Sequence, residues 1–97
     1  MNLEKSKKRI AKKVKMGFQG YPKISICYNG SNTEVATEVV ITYVAEEGEP
    51  IQTERFKSAM DVREDEVIQS AIVKMIERAD AKTVLLDENI QINRDNV

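Results

Sequence analysis

The chain has no histidine and no tryptophan, a single cysteine, two prolines, four glycines and only 5% aromatic residues. Without histidine the commonest general base and metal ligand is missing, and no Ser-His-Asp or Cys-His nucleophile can be assembled. Cys27, being alone, cannot close an internal disulfide, which agrees with a reducing compartment. No apolar run approaches the eighteen or so residues that a membrane helix needs, and no apolar core of a secretory signal follows the basic N-terminus. The glycines stand apart, so no phosphate-cradling loop is present. These absences point to a cytoplasmic, non-enzymatic protein with no catalytic residues, cofactor, metal or small-molecule substrate.

What is present is ordinary globular material, 41% hydrophobic and 32% charged, in 97 residues, enough for one small domain spanning 1–97. The net charge of -1 hides a division. Residues 1–23 carry eight basic side chains and one acid, net +7, whereas 24–97 carry seven basic and fifteen acidic side chains, net -8. A basic head on an acidic body implies an anionic partner for the head or docking of head on body.

The strongest local pattern lies in 61–79, DVREDEVIQSAIVKMIERA. Ile68, Ala71, Ile72, Met75, Ile76 and Ala79 recur at spacings of three and four and gather on one face, widened by Val73. Asp61 with Glu64 reads as a capping box, and Glu64, Asp65 and Glu66 suit the positive end of the helix dipole. That is also the reading preferred to a cation site, because the spacing of these acids is not that of a calcium loop. A face so wide needs a sheet to cover it, and the rest of the chain supplies strands.

In chain order, 3–16 reads as a lysine-rich helix closed by Gly17, with a thin apolar face of Leu3, Ile10 and Val14. Its like-charged neighbours cost on the order of 1 to 2 kcal/mol together, so in isolation the helix is expected to fray. Residues 18–22, FQGYP, read as a turn. The stretch 23–28 alternates as a first strand, Asn29-Gly30 gives a hairpin signal with a four-residue loop through Ser31 and Asn32 equally open, and 33–44 alternates as a second strand. Its odd positions, Val35, Thr37, Val39, Ile41 and Tyr43, are expected to meet the 61–79 helix. A third strand over 51–56 follows Glu46-Glu47-Gly48-Glu49-Pro50, with Ile51 and Phe56 changing faces according to the turn length. Residues 83–92 read either as one strand or as a hairpin turning at Asp87-Glu88-Asn89, and 93–97 as a loose tail. The expected fold is a single α+β domain of order α-β-β-β-α-β, with an antiparallel three- to four-stranded sheet packed against the 61–79 helix and a body over 23–92.

The basic head is the candidate site. Lys5, Lys8, Arg9, Lys12, Lys13 and Lys15 could neutralise nucleic-acid phosphates, with counterion release driving affinity. Removing 1–16 is then expected to abolish binding and leave the sheet folded. The alternative is a protein-interaction module or chaperone-like adaptor, with a homodimer as one form, pairing through 84–92 or the third-strand edge. Binding at a membrane surface is weaker, because the helix has no Trp or Phe on its apolar face. Tyr21, Tyr28 and Tyr43 read as core or sheet-face residues rather than base-stacking platforms.

In element order, residues 3–79 resemble double-stranded RNA-binding domains, which grip phosphates with lysines at the start of their second helix. Here that position holds Arg63 followed by Glu64, Asp65 and Glu66, so the family's grip does not transfer. With the added last strand the order is also similar to small acidic homodimeric chaperones of type III secretion, although the lysine-rich first helix departs from them. Neither resemblance carries a motif.

Overall fold

The computed structural model describes residues 2–92. Its elements are α1 (Leu3–Lys15), β1 (Lys23–Gly30), β2 (Glu38–Val44), β3 (Gln52–Lys57), a 3-10 turn (Val62–Glu64), α2 (Glu66–Ala79) and β4 (Thr83–Ile92). The expected order and α+β class are found. The expected tail over 93–97 lies outside the described residues.

The sheet runs β3-β2-β1-β4. β1 with β2 and β2 with β3 are antiparallel, but β4 lies parallel to β1, so the sheet is mixed rather than wholly antiparallel. The cause is the connection. A chain that leaves β3, crosses the sheet face as α2 and returns at the other edge runs in the direction it started from, as helical crossovers do.

Register places Ile24 opposite Tyr43 and Val84, Ile26 opposite Ile41 and Leu86, and Tyr28 opposite Val39 and Ile90. These positions share one face, and most are buried in a core with Ile68, Ile72, Val73 and Ile76 of α2 and Ile10 of α1. Ile24, Ile41 and Tyr43 line one groove with Met75 and Ala79, so the odd face of the second strand does meet α2. α1 packs on α2 and β4, closing the side of this core. β3 pairs Phe56 with Val39 and leaves Ile51 outside the strand, 66% exposed. Gln52, Thr53, Glu54 and Arg55 are exposed on both sides of the strand.

Three boundaries differ from the sequence reading, and all involve the 31–37 loop. First, β2 begins at Glu38 rather than 33. The Asn32 side-chain oxygen accepts from the Glu34 and Val35 N–H groups, and this local turn replaces strand pairing. Alternation breaks there, with Ala36 fully buried and Val35 exposed. Second, Asn29-Gly30 is not a hairpin turn but the end of β1, with Asn29 opposite Glu38 and Gly30 opposite Ile92. A Cβ on Gly30 would lie 2.2 Å from the Val35 carbonyl oxygen, so it is the close passage of the 31–37 loop that calls for glycine.

Third, α2 starts at Glu66, not Asp61. Val62 is fully buried and donates its N–H to the Ala36 carbonyl at 2.7 Å, which holds 61–64 in a separate 3-10 turn. Asp61 caps that turn by accepting from Arg63 N–H, and Asp65 caps α2 by accepting from Ile68 N–H. The capping box of Asp61 and Glu64 is therefore replaced by two successive aspartate caps. At the other end Asp80 takes the left-handed conformation (φ 50) usually left to glycine. Finally, 83–92 is one strand, with a register shift that sets Ile90 beside Tyr28 and leaves Glu88 and Asn89 outside the ladder.

Candidate nucleic-acid interface

α1 forms because thirteen residues without Pro or Gly follow a capping Asn2, whose side chain accepts from Lys5 N–H at 2.9 Å. Gly17, at φ 71, donates its N–H to Val14 and turns the chain away. What the isolated sequence makes marginal, the body supports. Ile10 is 3% exposed in the core, and the Ser6 and Ser70 hydroxyls meet at 3.2 Å across the contact with α2. Lys7 Nζ lies 2.6 Å from Glu64 Oε2, and Arg9 Nη1 lies 3.1 Å from Glu77 Oε2. The basic head is docked on the acidic body.

Docking fixes the rotation of the helix and sorts the six nominated cations. Arg9 is turned towards Glu77, and Lys13 is half-buried and donates to the Ala81 carbonyl at 3.2 Å. Lys5, Lys8, Lys12 and Lys15 are all exposed. At roughly 100° per residue they occupy about 80° of arc on the side opposite Ile10 and extend about 15 Å along the axis. Among the described residues none of these four makes an ion pair. The nominated set is thus divided into a solvent-facing stripe of four and two cations held by the protein itself. Glu64 and Glu77 flank the docked side, so the positive surface is a narrow band rather than a broad patch.

The segment that follows α1 holds a feature beyond the turn read from its sequence. Phe18 is 60% exposed and Met16 52% exposed. The Phe18 ring meets Tyr21 edge to face at 5.6 Å between centroids, and Lys23 Nζ stands 5.8 Å from the Tyr21 ring. A signal was present in FQGYP, an aromatic between two glycines directly after a lysine-rich helix.

Other candidate groups are taken up internally. Arg63, which stands near the start of α2, donates to Asp61 through Nε at 2.8 Å and through Nη2, and to the Glu34 carbonyl at 3.0 Å. The Arg63 guanidinium holds the Asp61 carboxyl down to about 2 against the opposing effect of burial. Tyr28 is buried, which pushes its hydroxyl pKa up, and Gln69 hydrogen-bonds to it. Gln69, 2% exposed, also donates to the Val62 carbonyl at 3.0 Å. A cleft of about 310 Å³ opens beside these residues, but Tyr28, Gln69 and Arg63 each have a partner within the protein. Burial, then the charge of Asp87, pushes the Cys27 thiol up, away from a reactive thiolate. Among the described residues no group of three His, Cys, Asp or Glu side chains could hold a metal ion, and no helix is long and apolar enough to cross a membrane.

Compared with known proteins, the chain matches no family model, and no curated protein or solved structure matches it significantly.

Proposed function

We propose that the protein is a non-enzymatic binding module whose α1 contacts nucleic-acid phosphates through Lys5, Lys8, Lys12 and Lys15. The observation that carries this reading is their alignment on the solvent side of a helix whose opposite side is docked. Contacts from lysine charges to phosphates position the ligand without carrying sequence information, so the proposed binding is tolerant of sequence. A helix lying on a membrane is disfavoured because Ile10 and Val14 are used in packing against the body. The protein-interaction alternative has less support. Both sheet edges carry features that oppose strand pairing: Glu54, Arg55 and Lys57 on β3, and Asp87, Glu88 and a register shift on β4.

The docked helix also changes the appropriate test. Removing 1–16 would uncover Ile10's place in the core, so loss of binding in that truncation would not separate contact from folding. Reversing two stripe charges, Lys8→Glu with Lys12→Glu, leaves the core untouched. The double variant is expected to bind a labelled duplex at least about tenfold more weakly than wild type at low salt, with unchanged circular dichroism. Equal affinity would reject the stripe as the contact surface.

A further inference from the structure

We infer that the preferred ligand is a single-stranded nucleic acid and that Phe18 is a platform on which one unpaired base stacks. This rests on the phosphate-contact reading of the α1 lysines and names the strand form that reading leaves open.

Phe18 is both exposed and fixed. An aromatic ring 60% open to water on a loose loop would be unremarked surface, but this loop is clamped at several points. Gln19 N–H donates to Thr83 Oγ1 at 2.7 Å, the Thr83 hydroxyl donates to the Gly20 carbonyl at 2.6 Å, and the Gln19 side chain returns to the Met16 carbonyl at 2.8 Å. Thr83 itself is fully buried at the start of β4, so the loop is tied to the sheet. The Tyr21 edge-to-face contact holds the ring from one side. A ring held in place offers stacking area with little further ordering cost.

Its position matters as much. Phe18 follows Lys15 by three residues, which caps their separation at about 10 Å. That separation is within the reach of a nucleotide or two beyond a phosphate held at Lys15. Lys23, 5.8 Å from the Tyr21 ring, adds a cation to the aromatic pair. Positive charge along the backbone with an aromatic at its end is the arrangement that suits single strands, because every unpaired base has a free π-face. Bases inside a duplex are already stacked and present only their edges. Duplex binding would use the lysines and leave Phe18 idle.

The test uses the full chain, with an oligothymidylate and a duplex of equal length at the same salt, and anionic phosphatidylserine vesicles as a third probe. Phe18→Leu keeps an apolar side chain and removes the π-face. Phe18→Trp keeps the platform and gives a chain without tryptophan its single indole reporter. Expected are tighter binding of the single strand than the duplex by wild type, quenching of the indole by the oligothymidylate, and a loss of about 5- to 150-fold in single-strand affinity for Phe18→Leu with duplex affinity unchanged. Equal binding of both strand forms with a neutral Phe18→Leu would overturn the stacking inference and leave the phosphate reading standing. No binding of either form at about 50 mM salt would overturn both. Binding to vesicles but to neither nucleic acid, lost in Phe18→Leu, would overturn it in favour of a membrane surface.

Discussion

Asp61 serves two backbone segments and one cation: its carboxylate accepts from Ala36 N–H, from Arg63 N–H and from the Arg63 guanidinium. Its pKa falls from 3.8 to about 2 in the folded chain. As the pH drops the unfolded chain takes up this proton first, so the stabilisation is full above pH 3.8 and is lost progressively towards pH 2. Urea midpoints are expected to show a loss of about 1 to 2 kcal/mol from this group over that range, and Asp61→Asn to lack that part of the pH dependence. A wild-type and variant pair falling in parallel would contradict the assignment. Gly30 is the other residue on which the 31–37 loop depends. With the Val35 carbonyl 2.2 Å from any added Cβ, Gly30→Ala is expected to lower stability by about 2 to 3 kcal/mol in denaturant unfolding. A change within about 0.5 kcal/mol would mean that the loop gives way freely.

The elements show where sequence patterns suffice and where they do not. The apolar face of α2 was legible because Ile68, Ile72 and Ile76 recur at helical spacing, and these three are buried. The start of α2 was not, because Asp61 with Glu64 fits a capping box, and that Asp61 caps a separate turn instead is decided by Val62, pinned to Ala36 twenty-six residues earlier. The same loop ends the alternation of the second strand before Glu38. In α1 the thin line of Leu3, Ile10 and Val14 was legible, whereas the inward turn of Ser6, Lys7 and Arg9 depends on Ser70, Glu64 and Glu77 of the partner elements. Burial rather than ion pairing should therefore hold α1. Ile10→Ala is expected to cost about 2 to 4 kcal/mol, whereas Glu64→Gln and Glu77→Gln, at exposed pairs, should each cost less than about 1 kcal/mol. Thermal unfolding of the three variants decides this, and a larger loss from Glu77→Gln than from Ile10→Ala would reverse the picture. Lys8→Glu should change stability by no more than a few tenths of a kcal/mol, since relief of the repulsion from Lys5 and Lys12 is offset in part by new repulsion from Glu4.

At the scale of the whole molecule, the order α-β-β-β-α-β was legible from alternation, turn residues and helical periodicity, but the direction of β4 was not. Whether a last strand runs parallel or antiparallel depends on whether the chain crosses the sheet before entering it, and because α2 carries the chain back across the face, β4 runs in the direction of β3 and so parallel to its neighbour β1. The candidate site was legible as a charge asymmetry and no further. Which lysines face outward depends on how α1 is rotated against the body, and Phe18 was hidden within a segment whose glycines and proline describe only a turn. The division of charge remains the feature from which function is argued: part of the basic head is neutralised by Glu64 and Glu77, and four lysines extend outward. The most direct measurement is the salt dependence of nucleic-acid affinity, followed by anisotropy from about 50 to 200 mM salt. Four phosphate contacts predict a log-log slope of about -3.6 on a DNA duplex, halved to about -1.8 by Lys8→Glu with Lys12→Glu. A slope near zero, or one that the double substitution leaves unchanged, would contradict the claim that this stripe binds phosphates.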